Sequence, residues 1–256
     1  MNLSKNKIKY IQSLKDKKSR EECGTFVVEG DKMVAELLSV MKCQLLIATP
    51  DFIQSNFIQQ ANIDEIIEVS KPELSKASFL KNPQQALAVF YQPDYALDKE
   101  QLKEQLSLAL DCIQDPGNFG TIIRLADWYG IENIICSTDT VDIYNPKVVQ
   151  ATMGALARVK VHYVDLHTYL KSVERIPLYG TFLDGDNMYE QELTQTGIIV
   201  MGNEGNGISS EIETLITNKL FIPNYPQDRE TSESLNVAIA TAIICTEFRR
   251  RLQKQK

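Results

Sequence analysis

The chain of 256 residues has only two histidines, His162 and His167. Neither has an acid or nucleophile at a recognisable spacing, so a histidine-centred catalytic dyad finds no support and both read as surface or structural residues. The five cysteines (Cys23, Cys43, Cys112, Cys136 and Cys245) are an odd number with no C-x-x-C pair, which argues against a zinc site or a disulfide framework. Cys112, Cys136 and Cys245 lie in apolar runs, where a reduced, buried thiol is ordinary. No apolar run approaches the ~20 residues needed to cross a bilayer. The first residues, Met1 to Lys7, lack the apolar core of a secretory signal. The expectation is a cytoplasmic protein with no membrane and no metal. Internal repeats and low-complexity tracts are absent. So are G-x-G-x-x-G and G-x-x-x-x-G-K-[ST], which removes a nicotinamide oxidoreductase on a doubly wound sheet and a P-loop enzyme. Positive charge is also short overall: 27 Lys and Arg against 34 Asp and Glu give a net charge of −7.

What is present suits a globular protein. An apolar share of 43% and a charged share of 24% can fill the core of one large domain or two modest ones. Basic residues collect at both ends. Lys5, Lys7, Lys9, Lys15, Lys17, Lys18 and Arg20 stand against the single acid Asp16, and Arg249, Arg250, Arg251, Lys254 and Lys256 close the chain. Such patches either follow a phosphate backbone or form solvated helix faces, and charge alone does not choose between them.

Periodicity predicts an amphipathic helix over 6–18, then a small alternating α/β unit. Its strands fall near 25–28, 45–48, 66–69 and 87–90, and its helices near 31–40, 51–60 and 72–80. Tyr91 to Asp98 contains Pro93 and no periodicity, and reads as a connection. A second alternating unit comes next. Its predicted strands are 106–113, 133–137, 158–163, 177–183, 197–201 and 219–222, with helices near 120–129, 145–156, 166–174, 209–217 and 234–253. Strands alternating with single helices imply a parallel sheet covered on both faces. The last helix contains Val237-Ala238-Ile239-Ala240-Thr241-Ala242-Ile243-Ile244-Cys245, apolar all round, and calls for more cover than one sheet supplies. A homodimer interface is the economical reading.

Ligands of open parallel sheets bind at the carboxyl ends of strands. Three such ends are rich in glycine and polar residues: 111–120, 202–207 and 222–236. Gly202-Asn203-Glu204-Gly205-Asn206-Gly207 has the look of an anion cradle, but Glu204 would set a carboxylate against the anion. A ligand with a neutral or cationic part fits better. Arg124 lies in Ile122-Ile123-Arg124-Leu125-Ala126, where a guanidinium among buried residues requires an anion. Asp127 at i+3 is one candidate partner, and a ligand phosphate beside Asn118 is the other.

Taken in order, these loops resemble the three motifs of the SpoU/TrmH family of RNA ribose 2′-O-methyltransferases, within the SPOUT class. The first is carried by Asp115-Pro116, Asn118, Gly120, Arg124, Ala126 and Gly130. The second is Val200-Met201-Gly202-Asn203-Glu204-Gly205 with Gly207-Ile208, and the third Ile222-Pro223 with Ser234-Leu235-Asn236-Val237. Ala151 to Leu156 also looks like the family's small-residue segment. The resemblance covers roughly 107–252. Residues 7–90 resemble, more softly, the ribosomal-protein-like α/β domain that precedes the catalytic domain in many members.

The resemblance implies an α/β fold of the SPOUT type, a parallel sheet with a C-terminal trefoil knot, behind a small α/β domain. It divides the chain into an RNA substrate-binding domain (1–92), a linker (93–104) and a methyltransferase domain (105–256). It implies a homodimer that binds S-adenosyl-L-methionine, with Thr181, Gly202, Ile222 and Leu235 lining the cofactor pocket. Asn118, Arg124, Glu204, Ser234 and Asn236 match the active-site positions, Arg124 working with the partner subunit's pocket. Arg124 normally stays protonated, so clamping a phosphate and stabilising a developing alkoxide suit it better than acting as a base. Glu204 either holds Arg124 or takes the proton. The implied substrate is structured RNA, rRNA ahead of tRNA. The competing reading is a non-catalytic RNA-binding protein on the same fold. One departure stands out: the segment 224–233 is longer than the family's compact loop.

Overall fold

The computed structural model describes residues 3–55, 58–173, 175–226 and 234–253. The chain begins with helices α1 (Lys5–Ser13) and α2 (Lys17–Cys23), where periodicity predicts one helix over 6–18. Asp16, in extended conformation, separates them, and Gly24 ends α2 at a left-handed φ of 60°. Next come β1 (Thr25–Glu29), α3 (Asp31–Leu38), β2 (Cys43–Ala48), α4 (Pro50–Ser55), β3 (Ile63–Glu68), α5 (Lys71–Ala77) and β4 (Ala86–Tyr91). These strands form a four-stranded sheet of order β1-β4-β2-β3. It is mixed: β2 and β3 are parallel, while β4 runs against both β1 and β2. Ile11 and Leu14 pack from α1 and its C-terminal cap onto Val27, Ile47 and Val89 of the sheet.

The second half contains α6 (Lys99–Lys103), β5 (Leu106–Leu110), α7 (Pro116–Trp128), β6 (Asn133–Ser137), α8 (Pro146–Thr152), β7 (Lys160–Val164), α9 (Leu166–Ser172), β8 (Leu178–Asn187), β9 (Gly197–Met201), α10 (Ser210–Glu213), β10 (Asn218–Phe221) and α11 (Val237–Gln253). Six strands pair in the order β10-β8-β9-β5-β6-β7, every pair parallel. All positions of β5, β6 and β9 are buried, as a sheet covered on both faces requires. The parallel α/β architecture expected from the alternation is therefore the one observed. Helix α6 lies in the predicted linker, where Asp98 accepts a hydrogen bond from the Glu100 amide (2.9 Å).

The chain separates into two compact units. One comprises Met1–Asp94 together with Asp142–Ala157, the other Tyr95–Val141 with Arg158–Lys256. The small-residue segment 151–156 thus packs in the first unit, although it falls within the expected 105–256 span. The excursion is tied down by Arg20, which is buried, pairs with Asp142 (2.6 Å) and donates to the carbonyls of Leu14 and Lys15. Phe26 and Tyr144 stack with ring centroids 4.5 Å apart.

Three details of the second unit shape its strand ends and its last helix. Asp115 caps α7 by accepting from the Asn118 amide (2.7 Å), and Pro116 occupies the first turn, so the helix starts four residues before the predicted 120. Strand β8 continues past the predicted 183. Its pairing with β10 jumps from Gly180↔Lys219 to Asp186↔Leu220, so residues 181–185 leave the ladder. Finally, α11 is buried along one face only: Ile244, Cys245 and Phe248 are covered while Ile239 is 53% exposed. Its arginines are structural ties. Arg249 donates to the carbonyls of Tyr129 and Gly130, and Arg251 to those of Met188 and Tyr189. Lys254 and Lys256 lie outside the described residues.

Candidate active site

The site forms where β5, β8, β9 and β10 end. Gly202 leaves β9 and leads into a tight turn closed by Asn203 and Gly207, whose backbones exchange hydrogen bonds of 2.9 and 3.0 Å. Gly207 adopts a φ of +70°, which glycine reaches without strain. The Asn203 side chain organises the turn from inside, accepting from the amides of Gly205 (2.9 Å) and Asn206 (3.1 Å) and donating to the Cys112 carbonyl (2.7 Å). Gly202 itself has no room for a side chain: a Cβ there would lie 2.1 Å from the Gly207 carbonyl carbon.

Beside this turn is a cavity of about 540 Å³. The four expected cofactor residues, Thr181, Gly202, Ile222 and Leu235, all line it, as do Glu204 and Ser234. Thr181 to Asp184, the stretch of β8 that leaves the ladder, form one wall. The cavity's lining includes the carboxylates Asp184, Glu204 and Glu213 and neither Lys nor Arg among the described residues. The ammonium of Lys219, on β10, pairs with Glu213 and sits over the Phe182 ring (4.6 Å).

Glu204 joins the loops on the other side. Its carboxylate accepts from the amides of Gln114 (3.3 Å) and Asp115 (3.1 Å), from the Asn118 side-chain amide (3.2 Å) and, at 3.5 Å, from that of Asn203. Asn118 in turn accepts from the Asn236 side-chain amide (2.9 Å). Asn236 caps α11, its carbonyl oxygen taking the amides of Ala238 (3.0 Å) and Ile239 (3.3 Å). Residues 118, 204 and 236, far apart in the chain, thus form one directed hydrogen-bonded row.

Arg124 requires a correction. Ile122, Ile123 and Ala126 are buried, but Arg124 lies on the exposed face of α7 and needs no buried partner. Asp127, its candidate partner, is engaged by Arg158 at 2.7 and 2.9 Å. Among the described residues of this chain nothing pairs with the Arg124 guanidinium, and the donors to Glu204 are Gln114, Asp115, Asn118 and Asn203. Most of the long 224–233 loop, residues 227–233, lies outside the described residues.

Neither histidine and none of the cysteines lines the cavity. His162 is buried with Nε2 3.1 Å from Asn133 Oδ1, and burial pushes its pKa down. Cys112, expected to be buried, is only half-buried, at a left-handed φ of 58°. Partial burial and then the neighbouring Asp139 push its thiol up, away from thiolate reactivity. Two further residues shape the site without standing out among the expected ones. Asn203 carries a legible asparagine-turn signal in Gly-Asn-Glu-Gly. Asp111, whose carboxylate accepts the Ser209 amide at 2.7 Å, carries none.

Comparison with known proteins supplies the wider context. Residues 105–246 match the SpoU rRNA Methylase family, and residues 5–88 an MRM3-like substrate binding domain. A curated relative, the 23S rRNA (guanosine(2553)-2′-O)-methyltransferase RlmP of Bacillus subtilis (strain 168), is 31% identical over 95% of this chain and 96% of its own. Among solved structures, an RNA methyltransferase described as of the TrmH family from Porphyromonas gingivalis superposes with a TM-score of 0.88 at 41% identity, covering 98% of this chain and all of that one. An AdoMet-bound rRNA methyltransferase from Sinorhizobium meliloti has a TM-score of 0.82 at 27% identity, covering 98% and 97%. The chain belongs to the SpoU rRNA methylase family.

Proposed function

We propose that the protein transfers a methyl group from S-adenosyl-L-methionine to a ribose 2′-hydroxyl of ribosomal RNA. The observation that carries the reading is the hydrogen-bonded row Glu204–Asn118–Asn236 standing beside the cavity of about 540 Å³. The volume suits a ligand of cofactor size. Of the three lining carboxylates Glu213 is paired with Lys219, and with Asp184 and Glu204 remaining and no Lys or Arg in the lining among the described residues, the cavity suits a sulfonium better than a phosphate. The close backbone at Gly202 suits a ligand gripped by main-chain groups. On these grounds the residues present fit the cofactor, and Thr181, Gly202, Ile222 and Leu235 would hold it.

When bound, S-adenosylmethionine supplies an electrophilic methyl group. The chain's task is to place the acceptor hydroxyl in line, so that its oxygen would take the methyl as the methyl–sulfur bond breaks and its proton passes to solvent water, and alignment accounts for much of the rate gain in such displacements. Asn118, Ser234 and Asn236 orient the hydroxyl. Arg124, exposed on α7, clamps the neighbouring phosphate and stabilises charge developing on the ribose oxygen. In a homodimer it would do so at the partner subunit's pocket. The uncovered face of α11 at Ile239 and the 84% exposed Trp128 on α7 support such a dimer. Residues 1–92 would recognise the RNA, 93–104 connect, and 105–256 carry out transfer, with the C-terminal part threading a trefoil knot as family membership suggests. The protein would act in the cytoplasm, where ribosomes are assembled.

The test is to map 2′-O-methyl sites in the rRNA and tRNA of a deletion strain and its parent. One rRNA site lost on deletion, and restored by the purified protein with labelled cofactor, supports the reading. Loss of a tRNA site instead moves the substrate. No change in either RNA leaves a non-catalytic RNA-binding protein.

A further inference from the structure

Glu204 stands at the centre of the candidate site, and a carboxylate beside a hydroxyl that loses a proton invites the role of general base. The hydrogen bonds argue for another role. A carboxylate offers about four lone-pair sites and no donor. Four donors converge on this one: the amides of Gln114 and Asp115 and the side-chain amides of Asn118 and Asn203, at 3.1 to 3.5 Å. Three bonds of 3.1–3.3 Å and a longer one at 3.5 Å thus occupy the lone pairs that a substrate proton would need.

We infer that Glu204 is a positioning residue, an acceptor-only brace that fixes the 114–118 loop and the orientation of the Asn118 amide for methyl transfer. The inference rests on the methyltransferase reading for its functional half. The brace sets the direction of every bond in the row. Glu204 can only accept, so Asn118 must present its NH2 to Glu204 and its oxygen to the rest of the row. That oxygen meets the NH2 of Asn236, whose own oxygen is held by the first amides of α11. The ambiguity of each side-chain amide is thereby removed, and one N–H of Asn118 remains to meet the ribose. The Gln114 and Asp115 amides, next to the cap of α7, have no other hydrogen-bond acceptor among the described residues. Without the carboxylate residues 114 and 115 lose their bonds to the turn after β9, while the Asn203 bond to the Cys112 carbonyl still holds the start of the loop.

Glu204→Gln tests the brace, because it keeps size and one acceptor oxygen but places an NH2 against two donors, whichever oxygen it replaces. In free protein, hydrogen exchange of the Gln114 and Asp115 amides should speed up by about tenfold or more in E204Q and further in E204A, while the Asn203–Gly207 turn keeps its protection. This arm needs no cofactor or RNA and stands even if wild-type protein methylates nothing. In single-turnover transfer to the mapped RNA, E204Q should be slowed about tenfold with the shape of the pH–rate profile unchanged. Its effect should largely vanish in an N118A background, since the brace acts through Asn118. Unchanged exchange at 114–115 overturns the brace. An acid limb in the wild-type profile that disappears in E204Q, or losses that add in full in the double variant, would show that Glu204 handles the proton.

Discussion

Replacing Gly202 by alanine asks whether the β9 end and the following turn touch as described. The new Cβ would lie 2.1 Å from the Gly207 carbonyl carbon, 2.2 Å from the Ile208 nitrogen and 2.5 Å from the Gly207 oxygen. All three are backbone atoms, so no rotamer relieves the clash. Restoring ordinary contact near 3.4 Å requires the turn to retreat by at least 1.3 Å. That displacement breaks the paired bonds of 2.9 and 3.0 Å between Asn203 and Gly207, worth about 1 kcal/mol each. Overpacking adds about 1–3 kcal/mol. The sum, about 3–5 kcal/mol, is a large share of a typical domain's stability of about 5–15 kcal/mol. At about 2–4 °C per kcal/mol, the melting temperature of the second unit should fall by roughly 6–20 °C. Calorimetric titration should also show loss of S-adenosylmethionine binding. Gly205→Ala is the matched control, since a Cβ there meets nothing closer than Asn203 Oδ1 at 3.7 Å. If Gly202→Ala melts and binds like wild type, the close approach is wrong and so is the backbone wall of the cavity. A Gly205→Ala variant that fails equally points to a general intolerance of the turn instead.

Arg124→Ala should reduce methyl transfer by at least about a hundredfold while cofactor affinity, measured by calorimetry, stays within about twofold; equal loss of both sinks the phosphate-clamp role. If the protein forms the proposed homodimer, Trp128→Lys should convert it to a monomer in sedimentation velocity, since losing an aromatic anchor typically costs about 2–4 kcal/mol; a wild-type monomer, or a variant of unchanged mass, refutes the proposed interface. Glu247 is buried on α11, and its two arginines, chiefly Arg250, hold its carboxyl below the usual value near 4.5. A lowered folded-state pKa contributes stability that is present above about 4.5 and lost as pH falls through the folded value. Glu247→Gln should therefore cost about 2 kcal/mol at pH 7 in urea unfolding and progressively less below pH 4.5; a gap independent of pH contradicts the ion-pair account.

Strand positions were legible because a buried parallel strand is a short, uniformly apolar run: 133–137 and 197–201 were placed to the residue. Asn118, Glu204 and Asn236 are legible as a group through the resemblance of their three loops to the family's motifs, each loop following a strand end. What could not be read depends on partners distant in sequence. Arg20 looks like one more member of a basic patch, yet it is buried against Asp142, and that contact helps draw 142–157 into the first unit. Arg251 likewise resembles a phosphate contact, but backbone carbonyls near 188–191 claim its guanidinium. Arg124 misled in the opposite direction. Its neighbours in sequence are apolar, but at 100° per residue a helix turns position 124 away from the face that holds 122, 123 and 126.

The strand order explains why these loops meet and why Glu204 belongs in the glycine turn. Strands β5 and β9 are neighbours, paired down to Leu110↔Met201, and the next amide, Asp111, still donates to the Met201 carbonyl at 2.9 Å. The loops leaving them start side by side, roughly ninety residues apart in the chain but within reach of one side chain. On the other flank of β9 lies β8, and beyond it β10, whose ends supply Thr181 and Ile222 to the cavity. The turn that leaves β9 therefore stands between two compartments. Its backbone at Gly202 faces the cavity, where a side chain would obstruct, and its Glu204 carboxylate reaches toward β5, where unpaired amides need an acceptor. A carboxylate there places negative charge at the cavity and accepts from the amides of the 114–115 loop. A neutral amide would keep only one acceptor oxygen and no charge, and a cation would face the Gln114 and Asp115 N–H groups with a like partial charge.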